Sequence, residues 1–199
     1  MKTLDAFGIS ASFFFTGDFY RNPKFKTFIE EARDKGHYLG AHSDKHLLYN
    51  DWTSEKKLLV SRDSFSIDLR DNYAEMMKFG IKKDQAPYYL PPYEWNDASI
   101  TQWTRLEGLN MINMTHGTLT HTDYTGLDDS NYRNNAQILQ SVYDHEEKKG
   151  LNGFILLSHV GVKESRPDKF YNELEGMIGE LKKRGYDFVS LEEMLDTNP

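Results

Sequence analysis

Short apolar runs and segments with apolar residues at helical spacing alternate along the chain. Residues 9–15 predict a buried strand. Asn22-Pro23 then opens a helix with a capping side chain and a proline at its first position, Phe25, Phe28, Ile29 and Ala32 line one face, and Gly36 ends it. Residues 37–41 form a second strand, whose carboxyl edge delivers His42, and one helical turn from Ser43 would bring His46 to the same side. A longer helix over residues 64–79 turns Leu69, Tyr73, Met76 and Met77 inward and stops at Gly80. A third strand at residues 86–90 precedes Pro91-Pro92, Asn96-Asp97 caps a helix to Glu107, and residues 109–114 make a fourth strand. After a long polar loop, residues 134–148 are helical and residues 154–158 read as the most convincing buried strand of all. Pro167 begins a last long helix carrying Phe170, Leu174, Met177, Ile178 and Leu181, and residues 187–189 add a final strand.

Alternating strands and helices imply an α/β fold with a parallel sheet, either an open doubly wound sheet or a barrel. In both, ligands bind at the carboxyl ends of the strands. The loops bearing His42/His46, Pro91-Pro92-Tyr93, Asp123 and His159 are all expected to leave from that edge. No repeat, low-complexity tract or linker interrupts the pattern, so residues 1–199 are expected to form a single domain.

His42 and His46 are candidate metal ligands, because two imidazoles four residues apart can share an ion. An isolated pair of this kind is more often two solvated side chains; its place at a strand end is what favours a ligand role. His159 directly follows an apolar run, where an imidazole held at a rim suits a general acid. Asp123 could accept its second N–H and fix its tautomer, against the bland reading of a loop aspartate making a turn. Leu90-Pro91-Pro92-Tyr93 is a rigid extended turn that could wall a pocket and offer the Tyr93 N–H to an oxyanion. His145 reads as solvated, His37 as structural, and Glu164 and Arg166 flank the loop after His159, where they could touch substrate or be ordinary surface charges.

The 199 residues contain no cysteine, which excludes disulfides and thiolate ligands and leaves His, Asp, Glu or water for any metal. With 24 Lys and Arg against 31 acidic residues the formal charge is −7, and no basic block offers a footprint for nucleic acid. No run approaches the length of a membrane span. Tyr, Phe and Trp number 12, 12 and 3, several of them beside polar motifs, as in Tyr93-Glu94-Trp95, where rings that pack a core could equally stack on sugars.

The ordered motifs His42-Ser43-x-x-His46, Leu90-Pro91-Pro92-Tyr93, Asp123-Tyr124 and Leu157-Ser158-His159 resemble those of the NodB-homology polysaccharide deacetylases, carbohydrate esterase family 4, over nearly the entire chain. Residues 11–17 and 36–43 look like that family's second strand and metal loop. The resemblance implies a distorted (β/α) barrel and a divalent metal, most often zinc, held by one aspartate and two histidines. His42 and His46 would then be the two histidine ligands, His159 the general acid and Asp123 its orienting partner. Pro92, Tyr93, Tyr124 and Leu157 would line the substrate groove, Leu157 beside the acetyl methyl. The implied partner is an acetylated polysaccharide or oligosaccharide, and the implied setting is secreted or envelope-associated.

The family's first strand ends in Thr-Phe-Asp-Asp, which supplies the base and the third metal ligand, and that segment is expected upstream of Met1. The resemblance therefore implies a barrel missing its first strand, with an edge open to self-association. Leu90 stands where the family commonly has Arg, and Tyr124 where Trp is usual. Asp44 or Glu94 is an alternative third ligand. Two further readings compete with a metal-dependent deacetylase: a carbohydrate-binding relative that has lost its base, and a structural fragment of a larger glycan-degrading protein.

Overall fold

The computed structural model describes residues 1–196, which group into two compact units. The first comprises Met1, residues 8–113 and residues 189–196; the second comprises residues 2–7 and 114–188.

The first unit is built on four parallel strands, β1 (Ser12–Phe15), β2 (Tyr38–Ala41), β3 (Tyr88–Tyr89) and β4 (Asn110–Met111), adjacent in chain order. That order, without the reversal of a doubly wound sheet, is the winding of a (β/α) barrel. Ser12 to Phe15 run in register with Tyr38 to Ala41, Ala41 pairs with Tyr89, and Tyr89 pairs with Met111. The Tyr38 hydroxyl supplements the short β2–β3 ladder by accepting from the Tyr88 N–H at 2.8 Å and donating to its carbonyl at 3.2 Å.

Helices follow the strands as the apolar spacing requires. After β1 come a short helix, α2 (Gly17–Arg21), a turn of 3-10 helix at Pro23–Phe25, and α3 (Lys26–Asp34); the Asn22 side chain caps the turn by accepting from Lys24 N–H at 3.0 Å. α4 (Arg62–Met77) is capped by Ser61 and buries Phe65, Leu69, Tyr73 and Met76, each Phe- or Leu-sized side chain worth roughly 2–3 kcal/mol. Met77, expected on that inner face, is 52% exposed, one position beyond the buried stripe. α5 (Ala98–Leu106) is capped by Asp97, which accepts from Ile100 N–H. α8 (Leu191–Asp196) closes the unit.

The second unit contains α1 (Lys2–Phe7), α6 (Asn135–Lys149) and α7 (Leu174–Lys183). A reciprocal cap between Asn134 and Gln137 starts α6, and Ile138, Val142, Phe170, Met177 and Leu181 form its core.

Two expected strands are absent. Residues 154–158 are extended loop: Thr115 N–H donates to Ile155 O at 3.1 Å, and the Thr115 hydroxyl, in place of a backbone carbonyl, accepts from Ile155 N–H at 3.0 Å. A side chain thus occupies the position where a second carbonyl would extend a ladder. Residues 187–189 likewise form no strand. The helical turn expected from Ser43 is also absent; residues 42–49 are a loop in which Ser43 (φ 68°) and His46 (φ 54°) adopt left-handed backbone.

Candidate functional site

The loop after β2 holds the two candidate metal histidines and is braced on every side. Asn72 on α4 accepts from His42 N–H at 2.9 Å, and the buried Asp68 carboxylate, one turn earlier, accepts from Asp44 N–H at 2.9 Å and Lys45 N–H at 3.0 Å. These α4 side chains take the donors that a first helical turn would have left open, so the loop needs no helix to satisfy its backbone. From the other side, Gly17 and Asp18 N–H groups donate to the carbonyls of Ser43 and Asp44 at 3.2 Å each. A Cβ at Gly17 would lie 1.8 Å from Asp44 Oδ1, so only glycine permits this approach.

The His42 Nδ1 lies 2.8 Å from the carbonyl of Leu90, which only accepts; Nδ1 therefore carries the proton and Nε2 keeps its lone pair. The His42 and His46 ring centroids are 5.0 Å apart, and the His46 ring meets Tyr93 edge-on at 4.4 Å. The loops after β2 and β3 thus come together, as expected, at the strands' carboxyl ends. Pro91 and Pro92 are buried, while Tyr93 is 44% exposed and, with Glu94, adopts left-handed backbone at φ 61° and 53°.

Two imidazoles are donors that a divalent ion accepts, and they fit part of a coordination shell. Among the described residues no group of three or more His, Cys, Asp or Glu side chains is gathered to hold an ion. Asp44, one of the alternative third ligands, is buried and gripped by Arg21, with Nη1 and Nη2 at 2.7 and 2.8 Å from its two oxygens. Glu94 does not join the histidines in such a group either.

In the second unit the Asp123 carboxylate, 2% exposed, takes both donors of one residue: His159 N–H at 2.8 Å through Oδ2 and His159 Nδ1 at 2.6 Å through Oδ1. An acceptor-only partner puts the ring proton on Nδ1 and leaves Nε2 to exchange a proton. The Tyr124 ring packs edge-on to His159 at 4.8 Å, and Leu157 is half-buried. His121, two residues before Asp123, is pushed below the ordinary histidine range, first by burial and then by electrostatic repulsion from the neighbouring imidazoles of His116 and His159.

Two side chains differ from expectation. Arg166, placed within reach of substrate by its position, is 1% exposed and bonds the carbonyls of Asp168 and Thr125 and the Asn135 Oδ1 at 2.5, 3.1 and 2.9 Å. His145, expected to be solvated, packs edge-on against Phe154 at 4.9 Å. The bracing residues Asp68 and Asn72 escaped sequence reading, although two polar residues on the buried stripe of α4 were a signal that something there needed hydrogen bonds.

This fold is that of the family 4 carbohydrate esterases, and the resemblance read from the motifs is borne out by the chain's relatives. No protein-family model matches the sequence. The chain is 25% identical over 187 residues to the peptidoglycan-N-acetylmuramic acid deacetylase PdaA of Bacillus subtilis, covering 94% of this chain and 61% of that protein's length. Among solved structures it is similar to a family 4 acetyl xylan esterase from Clostridium thermocellum in complex with a cobalt ion, at TM-score 0.73 and 23% identity over 98% of this chain and 81% of that one. It is also similar to BA3943, a family 4 pseudoenzyme from Bacillus anthracis, at TM-score 0.67 and 17% identity over 98% of this chain and 58% of that one.

Proposed function

We propose that this chain carries the chemistry of a metal-dependent deacetylase of an N- or O-acetylated polysaccharide. The observation that carries this reading is the Asp123–His159 pair, a buried carboxylate holding both N–H groups of one histidine. In this reading His159 is the general acid. Asp123 holds the Nδ1 proton, so Nε2 is the atom that delivers a proton to the sugar nitrogen or oxygen as the acetyl group leaves. In the same reading Tyr124 and Leu157 are the substrate contacts beside His159, and Pro92 and Tyr93 those of the loop after β3. His42 and His46 supply two ligands to a divalent ion, most simply zinc, with His42 Nε2 aimed by the Leu90 carbonyl. A bound ion would supply Lewis-acid chemistry at the acetyl carbonyl.

The test is acetate release from acetylated chitin, xylan and peptidoglycan oligosaccharides with added zinc or cobalt, comparing the chain with His159→Ala. The expected outcome is metal-dependent release that falls by about 10²–10⁴-fold in the variant. Release that survives the substitution would remove His159 from the reaction. A second reading, a carbohydrate-binding relative without turnover, is supported by the similarity to BA3943, a family 4 pseudoenzyme. Glycan binding with no acetate release under any metal would select it.

A further inference from the structure

Beside the histidine loop the first unit displays a row of aromatic rings, of which the deacetylase reading uses only Tyr93. Tyr93, already against His46, meets Trp52 at 5.5 Å, and Trp52 lies 5.8 Å from Trp95 with the two indole planes inclined by 33°. Trp52 is 62% exposed, an unusual placement for the largest apolar side chain.

The loop that presents Trp52 is held in shape. The Asp51 carboxylate accepts from Thr53 N–H at 3.2 Å, the Thr53 hydroxyl at 2.7 Å and Lys57 N–H at 3.0 Å, while Asn50 donates to the Lys56 carbonyl at 2.8 Å. Lys56 takes left-handed backbone (φ 49°), donates to Asn96 O at 2.7 Å and sets its ammonium 3.7 Å from the Trp95 ring centroid. Trp95 in turn donates its indole N–H to the Asp51 carbonyl at 2.9 Å. An exposed ring on a pinned loop loses little conformational entropy when a ligand covers it, which is the condition of a preorganised binding surface.

We propose that Trp52, with Tyr93, forms a stacking platform for a pyranose ring of an uncharged glycan, extending the histidine-loop site along the chain of its substrate. The ligand chemistry follows from the surface. Flat apolar faces match the C–H faces of a sugar ring. Asp51 and Glu94 flank the rings, the Lys56 ammonium is engaged by Trp95 and Asn96, and the chain's net charge is −7, so a nucleic acid would be repelled. The substrate class rests on the deacetylase reading; the platform itself does not require turnover.

The test measures binding of tetra-N-acetylchitotetraose and acetylated xylotetraose by calorimetry to the whole chain, to Trp52→Ala and to Trp52→Phe, with Leu106→Ala as an exposed apolar control on α5. At least one oligosaccharide should bind. Trp52→Ala should weaken it about tenfold or more, Trp52→Phe should fall between, and Leu106→Ala should stay within twofold. Absence of binding to the unaltered chain, or equal affinity in Trp52→Ala, overturns the platform. So does a shift from dimer to monomer in Trp52→Ala without glycan binding, which would make Trp52 a self-association contact. Acetate release followed in parallel separates the two readings. Trp52-dependent binding without release keeps the platform and sinks the deacetylase, and release with unchanged KM in Trp52→Ala does the reverse.

Discussion

The two histidine sites are built in opposite ways, each within its own unit. In the first unit His42 and His46 stand on a loop whose backbone is tied by neighbours: Asp68 and Asn72 from α4, and the first residues of α2. In the second, His159 is held by one side chain, Asp123, which takes both its backbone and its ring donor. The loop site is a scaffold problem, solved by a buried carboxylate and a glycine. The acid site is a pair problem, solved by one carboxylate with two oxygens. Damage should therefore spread differently, through the fold in one case and through proton chemistry in the other.

The largest structural effect should come from Asp68→Ala, which leaves two backbone N–H groups without their charged acceptor. A loss of about 3 kcal/mol is expected, a fall in Tm of roughly 6–12 °C for a chain of this size. Calorimetry reads it, and zinc affinity at the His42/His46 loop should fall with it. If Asp68→Ala melts like the unaltered chain, the contrast between a scaffolded and a paired site is wrong.

Asp123→Asn should be milder for stability, about 1–2 kcal/mol, because the amide still offers one acceptor but turns its NH₂ towards a His159 donor. Its sharper signature lies in the ring: ¹⁵N spectra of His159 should lose the dominance of the Nδ1–H tautomer, a change that a purely structural aspartate would not produce.

The smallest effect concerns pH. His121 titrates below the ordinary histidine value in the folded chain, so below about pH 6.5 the unfolded chain binds more protons and stability falls with pH. Asp128 and Asp129 are held below the usual carboxylate range by hydrogen bonds from Ser165 and Lys163 respectively, and their contribution is lost only near and below pH 4. Denaturant unfolding at pH 7.5 and 5.5 should show the first decline, and His121→Asn should flatten it. An unchanged slope in that variant would assign the decline to other groups.

The apolar pattern located the alternating elements of the first unit because each strand there has a partner to complete its ladder and each helix a sheet to cover. It failed at residues 154–158, whose composition is that of a strand but whose neighbour, Thr115, answers with a hydroxyl instead of a carbonyl. It also put Arg166 at a surface, where the chain instead buries it against carbonyls of Thr125 and Asp168.

By itself the sequence determined the residue types of both histidine sites and the strand ends that carry the first. It did so because local spacing and apolar runs are properties of the chain alone. Only the tertiary structure decided how His46 reaches His42, through left-handed backbone braced from α4, and that Asp44 serves Arg21 and joins no ligand group among the described residues. Those outcomes depend on which distant donors and acceptors meet. Hydrogen bonds between residues 23 to 30 positions apart leave no periodic trace in the sequence that folds to make them.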